Sequence, residues 1–425
     1  MKKVLIITYY WPPSGGAGVQ RWLKFTKYLS SFGVKPIVLT VDPSRASYAQ
    51  RDESLLKEVT DEVLVYTTKT VELYDLYRKL IGKGEIPYGG FSNQQEESFL
   101  QKMAKVVRGN FFIPDPRKGW NRFAYQKAVE LIREHQIDTV ITTSPPHSTQ
   151  LIGLKLKKKL GIRWVADLRD PWTDIYYYNE LYRSSWAKKR DRAMELNVLQ
   201  AADQIVTVSK ALKRLFDGKL GGGAGSKLAV IPNGYDEEDF AVSVPVTDEK
   251  FVITYTGTIS TAYDMDGLLK ALQELDEQQQ KNILFRLVGN MPPAIVDRIR
   301  RELPLIELDL VGYVDHARSV SYLLKSSIQL LIIPKIENNR GIVTGKFYEY
   351  LASGKPVLAI GPVGGDLEEV IRETGCGLLF EYSDSEGIKK MLIENLQGRF
   401  EISRDRATKY SRRELTRKLV QEIAL

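Results

Sequence analysis

The segment Gly341-Ile-Val-Thr344-Gly345-Lys346-Phe-Tyr-Glu349-Tyr-Leu-Ala-Ser-Gly354-Lys-Pro356 carries the densest chemical signal in the chain. Small residues precede a helix starting near Lys346, Gly354 supplies its stop, and Pro356 opens the next strand. A helix that begins after Thr344-Gly345 exposes free backbone N–H groups and a partial positive charge, which together make an anion site. Lys346 adds a full charge there. Glu349 lies three residues on, hence on the same helix face, where its carboxylate can accept hydrogen bonds from sugar hydroxyls. A cation for a diphosphate beside an acceptor for a ribose describes a nucleoside diphosphate site. The competing reading is a solvated Lys346–Glu349 ion pair. It is weakened by a second glycine loop, Trp11-Pro-Pro-Ser-Gly15-Gly16-Ala-Gly18, which opens a helix after the first apolar run and lets backbone approach a ligand. That loop is not a dinucleotide fingerprint, which would need glycine in place of Arg21, and no Walker lysine follows it.

Other groups are less specific. Asp167-Leu-Arg169-Asp170-Pro-Trp172 ends a strand and is dense in charge, so it is expected to line the ligand cleft; a capped loop with an internal Arg–Asp pair is the alternative. Residues 111–120 end in Trp120 and place apolar bulk next to Arg117 and Lys118. Asp264-Met-Asp266 precedes Leu268, Leu269 and Leu272 at helical spacing, and helix capping is its expected role. Cys376 is the single cysteine, which excludes a disulfide framework and a cysteine zinc site. The three histidines, His135, His147 and His316, are far apart in sequence, so no metal site and no cofactor are expected. His135 and His316 read as ordinary surface or loop residues.

These groups need a scaffold. Short Val- and Ile-rich runs at 3–9, 36–41, 62–66, 139–142, 163–167 and 204–208 alternate with segments of helical period, the pattern of βαβ units around a parallel sheet. The rhythm restarts at 229–231, 251–256, 283–288, 306–311, 328–333 and 356–360. The 425 residues therefore predict an α/β protein of two doubly wound, Rossmann-like domains facing across a cleft, with ligands outside the carboxyl ends of the strands. The glycine-rich stretch from 217 to 226 and the acids at 236–239 place the division between 217 and 250, with the domains taken as 1–216 and 217–404; the last helix, about 405–425, is expected to pack back on the first domain. Residues 66–119 break the rhythm and read as a surface insertion.

The formal net charge of +8 is uneven: residues 1–200 hold 32 basic and 21 acidic side chains, residues 201–425 hold 29 and 32. The first half therefore faces a polyanion. The stretch 172–192 joins Tyr176, Tyr177, Tyr178, Tyr182 and Trp186 to Arg183, Lys188, Lys189, Arg190 and Arg192. Aromatics beside cations suit a bilayer interface and also nucleic-acid bases, while a plain surface helix packed by its aromatics is the bland alternative. No recognised nucleic-acid motif accompanies it, so no nucleic-acid partner is expected. No stretch reaches about 18 apolar residues free of charge, so membrane contact is expected to be peripheral, on a protein of the reducing cytoplasm.

The order and spacing of the glycine loop after the first strand, Val208-Ser209-Lys210, Ile231-Pro-Asn233-Gly234, Tyr255-Thr-Gly257-Thr258, Leu287-Val-Gly289 and Lys346-Phe-Tyr-Glu349 resemble family 4 glycosyltransferases, retaining enzymes of the GT-B fold. The likeness spans nearly the whole chain, is weakest over 66–119, and is nearest to the branch acting on bacterial surface polysaccharides and lipid-linked glycans. It implies that Glu349 contacts the nucleotide ribose and Lys346 a phosphate, with backbone donors at Thr344 and Gly345. Gly15 and Gly16 would approach the donor phosphate and sugar, and His147 would lie near the reacting sugar. Two departures stand out: Gly341 occupies the place of the family's first glutamate, and Thr258 follows Gly257 where many members carry Arg and Lys. The diphosphate charge then falls mainly on Lys346, helped by helix N-termini and by Arg340 or Arg286.

The resemblance thus implies a metal-independent transferase that moves a sugar from a nucleoside-diphosphate sugar, by family frequency a UDP-sugar, to a hydroxyl of a glycan or lipid-linked acceptor, with retention. Lys346, Glu349 and His147 would serve catalysis. Gly15, Gly16, Gly257, Thr258, Arg286, Arg340, Thr344 and Gly345 would complete the donor site, while Asp167, Arg169, Asp170 and Trp120 would line the acceptor side. An anionic membrane surface is a further expected partner, at the inner face of the cytoplasmic membrane. A UDP-N-acetylhexosamine epimerase of the same fold, or a nucleotide-sugar-binding protein without catalysis, are the alternatives.

Overall fold

A computed structural model describes residues 1–48, 50–71, 99–242, 244, 249–260, 262–402 and 406–425. The chain divides into two compact units: Met1–Pro232 with Arg412–Leu425, and Asn233–Ser411.

The first unit is built on seven parallel strands: β1 (Lys2–Ile7), β2 (Val34–Val41), β3 (Leu64–Thr68), β4 (Thr139–Ser144), β5 (Arg163–Leu168), β6 (Gln204–Thr207) and β7 (Leu228–Val230). They lie in the order β3-β2-β1-β4-β5-β6-β7. The reversal at β1 and β4 is the doubly wound pattern, which opens ligand sites at the carboxyl ends of those strands. Val4, Leu5, Ile6 and Ile7 are all fully buried, because helices cover both faces of the sheet and a parallel strand so placed has no solvent side. One face packs on Trp120, Leu131, Ile152 and Trp164, and the other on Trp22, Phe25 and the C-terminal helix through Leu415, Leu419 and Ile423.

The second unit has six parallel strands: β8 (Phe251–Thr256), β9 (Ile283–Val288), β10 (Glu307–Gly312), β11 (Ile328–Ile332), β12 (Val357–Ile360) and β13 (Gly377–Phe380), in the order β10-β9-β8-β11-β12-β13. Its core holds Leu268, Leu272 and Phe285 on one face, and Phe347, Tyr350 and Leu351 of the helix Gly345–Ser353 on the other.

The division lies at 232/233, within the expected window but not at the 216/217 taken for the domains. The run expected at 229–231 to start the second domain is β7, which pairs with β6 in the first sheet. The glycine-rich stretch is a turn inside the first unit. Gly221, Gly222 and Gly223 take φ of 87°, 81° and 81°, a left-handed path that side chains resist, and Asp217 accepts the Ala224 amide at 2.8 Å to close it. The glycine composition thus serves a reversal between the helix Lys210–Lys219 and β7, not a linker. The chain returns to the first unit at Arg412, whose guanidinium lies 5.5 Å over the Phe25 ring.

Candidate functional site

In the second unit the helix Gly345–Ser353 begins at Thr344, whose side chain makes no capping bond and whose hydroxyl is buried without a partner. The Phe347 amide donates to the Thr344 carbonyl at 3.2 Å, which leaves the Gly345 and Lys346 amides to an outside acceptor, and the hydroxyl adds a donor at the same place. Lys346 sits in that turn. Its ammonium donates to Tyr255 Oη at 2.8 Å and stands 4.3 Å from the centre of the Tyr255 ring. Tyr255 Oη donates onward to the Thr258 carbonyl at 3.0 Å. Burial pulls the Lys346 ammonium down to about 8, with Glu349 opposing the shift. A bound anion would push it back up.

Two glycines make room for this cation. A Cβ on Gly257 would lie 2.8 Å from Lys346 Nζ, and one on Gly289 would lie 2.3 Å from the Gly257 carbonyl oxygen. Their φ values, 107° and 127°, are also closed to ordinary side chains. The turns after β8 and β9 therefore nest against one another, and the lysine fills the space above. Beside Gly289 lies a pocket of about 300 Å³ lined by Leu287, Gly289, Asn290, Met291, Val296 and Leu310.

Glu349 Oε1 lies 3.1 Å from His316 Nε2. His316 opens the helix His316–Lys325, which Asp315 caps through the Arg318 amide. The bond leaves Glu349 Oε2 as the oxygen for a ligand hydroxyl and fixes the carboxylate's direction. His316 was expected to be an ordinary surface residue. Nothing local in the sequence signals a pairing across 33 positions.

Arg286 does not serve the diphosphate. It lies within β9 rather than at its end, donates to Asp309 at 2.8 Å and stacks 5.2 Å over the Tyr322 ring, so its charge is spent inside the sheet edge. Arg340 is exposed in the turn Asn339–Gly341, the turn that also places Gly341. Asp264 accepts the Asp266 amide at 3.0 Å and pairs with Lys335, but the helix Asp266–Gln273 has Met265 at its N-cap position and no side-chain cap, so the expected capping role is not met.

In the first unit, Gly15 donates its amide to the Gln50 carbonyl, and Gly16 is the uncapped first residue before the helix Ala17–Leu29. A Cβ on Gly18 would lie 3.5 Å from Arg169 Nη2, so the guanidinium rests over this helix start. Arg169 is held there by donation to the Ser144 carbonyl at 3.1 Å. His147 sits just before the helix Ser148–Leu160 and stacks on Trp172, with ring centres 4.8 Å apart and planes 13° apart. Its Nδ1 is buried without a partner. Burial, then the charges of Arg169, Arg183 and Lys219, hold the imidazole down at about 3, so it is neutral at pH 7. Such a ring can exchange a hydrogen bond with a hydroxyl without carrying charge. Asp170 is half-buried beside Arg169, and burial raises its carboxyl above the usual range.

Two residues expected on the acceptor side are structural. Asp167 is fully buried and accepts from Arg21, from Trp22 Nε1 at 2.7 Å and from Thr143 at 2.8 Å. Trp120 is fully buried and donates to Thr68 at 2.8 Å, edge-on to Tyr9. Each has every polar atom committed inside the fold, leaving no surface for a ligand. The partners of Arg21 and Tyr255 are not marked by sequence spacing, because Arg21 acts on Asp167 of β5 and Tyr255 on Lys346 of the helix Gly345–Ser353, each far away in the chain.

Among the described residues, no group of three or more His, Cys, Asp or Glu gathers as a metal site, and no helix is long and apolar enough to cross a membrane. Comparisons with known proteins give the family of the chain. Residues 87–239 match the model for Glycosyltransferase Family 4, and residues 236–414 match the model for Glycosyl transferases group 1. A probable glycosyltransferase of Pseudomonas aeruginosa, WbjE, is 21% identical over 274 residues, which cover 62% of this chain and 67% of the relative. Among solved structures, HepE of Anabaena in complex with UDP and glucose superposes with a TM-score of 0.62 at 14% identity, covering 100% of both chains. The lipopolysaccharide outer core galactosyltransferase WaaB gives 0.58 at 14% identity, covering 100% of this chain and 99% of that one.

Proposed function

Because the chain belongs to the glycosyltransferases of GT-B fold, we propose that it is a retaining hexosyltransferase that moves a sugar from a UDP-sugar to a hydroxyl of a glycan or lipid-linked acceptor, in the assembly of a bacterial surface polysaccharide at the inner face of the cytoplasmic membrane. The observation that carries the donor assignment is Lys346, desolvated and held by Tyr255 at the uncapped start of Gly345–Ser353. Among the described residues no carboxylate is in ion-pair contact with this ammonium, Glu349 acting on it only from a distance, and a diphosphate supplies the missing charge. Glu349 Oε2 then meets the ribose hydroxyls, and the pocket beside Gly289 takes the base. The UDP in HepE and the galactosyl transfer named for WaaB support a nucleotide-sugar donor and a surface glycan.

In the reaction, the bond between the anomeric carbon and the diphosphate oxygen breaks and its electron pair stays on UDP. The acceptor oxygen bonds to the same face of that carbon, and its proton passes to a phosphate oxygen of the leaving group. Lys346 and the helix amides stabilise the charge that grows on the diphosphate, so protein cations do work that a metal does elsewhere. In the first unit, neutral His147 orients a sugar hydroxyl through Nδ1.

A thermal-shift screen across nucleotides tests the donor half. UDP should raise the midpoint, and Lys346→Ala should remove most of that rise without changing the unliganded midpoint by more than a few degrees. An equal UDP response in Lys346→Ala would sink the placement. Incubation with a UDP-sugar alone then separates transfer from epimerisation, since only an epimerase converts the sugar with no acceptor.

A further inference from the structure

The first unit carries an exposed surface of rings and cations that the transfer reaction does not use. Phe111 is 72% exposed, Trp186 60% and Tyr182 50%, and Met103 and Val106 are exposed on one face of the helix Phe99–Phe111. These groups come from two segments that are joined at their tips. Asn110 accepts the Ser184 amide at 2.8 Å and donates to the Tyr182 carbonyl at 3.1 Å, which sets Phe111 beside Tyr182. Lys118 donates to the Phe111 carbonyl at 2.7 Å, and the nearby Arg190 charge, after burial, lowers its ammonium. Arg190 in turn stacks 5.2 Å over Trp186. Three exposed rings are thus interleaved with Lys118 and Arg190, with Lys189 exposed one residue along.

The charge is of one sign. Residues 99–118 and 182–192 contain two acids, Asp115 and Asp191. Asp115 accepts the Ser148 amide and hydroxyl at 2.7 and 2.8 Å, and Asp191 is buried under Trp172, Tyr178 and Arg183. Neither acid offsets the cations at the surface. Anchoring Asp191 inside also makes the segment a fixed platform, so its rings are presented without further ordering.

We propose that this surface docks on an anionic membrane, with Phe111, Trp186 and Tyr182 entering the interfacial layer and Lys118, Lys189 and Arg190 meeting lipid phosphates. Amphipathic rings lie at the headgroup level, and cations beside them gain from the negative surface potential. Nucleic acid would account for the rings and cations, yet it gives no use to Met103 and Val106. A lipid surface uses all of them. The docking is independent of the donor assignment, so it survives or fails separately.

The test is flotation of the full chain with vesicles of phosphatidylcholine and phosphatidylglycerol, against phosphatidylcholine alone, at low and high salt. The chain should float with the anionic vesicles at low salt and remain below with the neutral ones. Lys189→Glu/Arg190→Glu should cut partition by more than about tenfold, and Phe111→Ser/Trp186→Ser by a similar factor. Both variants should keep the wild-type UDP-induced thermal shift, which shows that they fold. Failure of the wild type to float with anionic vesicles at low salt overturns the proposal. So does unchanged flotation of both variants, or binding of a single-stranded oligonucleotide that the same substitutions abolish while vesicles stay unbound.

Discussion

Lys346 and Tyr255 stand 91 residues apart in sequence and 2.8 Å apart in the second unit. Through that bond the end of β8 fixes where the charge of the helix Gly345–Ser353 points. Tyr255→Phe keeps the ring beneath the ammonium and removes only the hydroxyl. Since a hydrogen bond to a charged group contributes about 1.5–3 kcal/mol, UDP affinity should fall roughly tenfold or more, and the unliganded fold should hold. Isothermal titration of UDP on the variant measures it. An unchanged dissociation constant would mean that Lys346 reaches its ligand unaided.

Lys346 also makes a prediction about pH. Its ammonium titrates at about 8 in the folded chain and ordinarily at 10.5, so between these values the unfolded chain holds more protons. Stability against this group alone therefore rises with pH from about 8 to 10.5, and below 8 the buried charge is a standing cost. Lys346→Met should raise the unliganded midpoint at pH 7 and gain less at pH 10. UDP affinity in the wild type should weaken as pH climbs through 8, and the Met variant should lack that step. Thermal melts and titrations at pH 6.5, 8 and 9.5 decide both.

His147 gives the opposite window. Burial and three neighbouring cations hold it down at about 3, against an ordinary 6.5. Its contribution to stability is complete above about 6.5 and is lost as pH falls toward 3, because the unfolded chain takes up the proton first. His147→Gln should flatten the acid limb of the stability profile between pH 6 and 4. In turnover it should lower kcat with UDP affinity unchanged, since UDP binding is assigned to the second unit. A parallel loss of UDP affinity would place His147 elsewhere in the chemistry.

The parts of this site that sequence revealed are those made by neighbours in the chain. The helix start at Thr344-Gly345-Lys346, with a cation three residues from Glu349, was legible because it needs no tertiary information. The glycine turns after β8 and β9 were visible as motifs, though not the reason for them, which is the 2.3 Å approach of a Gly289 Cβ to Gly257. Roles that depend on distant strands were not legible. Arg286 read as a phosphate cation until Asp309 of the next strand claimed it. The domain division was set too early, at 216/217, because glycine composition is shared by linkers and tight reversals, and only the pairing of β7 with β6 separates the two.

His316 and Glu349 form a pair whose function is testable by a difference. If His316 aims the carboxylate at the ribose, its loss should cost only ligands that carry ribose hydroxyls. In His316→Ala the affinity for UDP should drop about threefold to tenfold, while that for a 2′,3′-dideoxy analogue changes little, so the ratio between them narrows. A structural role for His316 would lower both affinities together. His316→Asn, which can still donate to Oε1, should recover part of the ratio.

Asp167 and Arg21, both wholly inaccessible to solvent, hold β5 to the first helix and to the chain that leaves the unit. Arg21 donates to Asp167 at 2.9 Å and also to the carbonyls of Ile231 and Pro232 at 2.9 and 3.0 Å. Removing the carboxylate strands a buried guanidinium and frees Trp22 Nε1 and the Thr143 hydroxyl. Asp167→Ala should destabilise the chain by about 3–5 kcal/mol, read from urea denaturation. Arg21→Met in the Asp167→Leu background should recover much of that loss, because an apolar pair of similar volume avoids two desolvated charges. The double variant should also bind UDP as the wild type does. A loss of UDP binding in a folded double variant would return Asp167 to the ligand site from which its burial removes it.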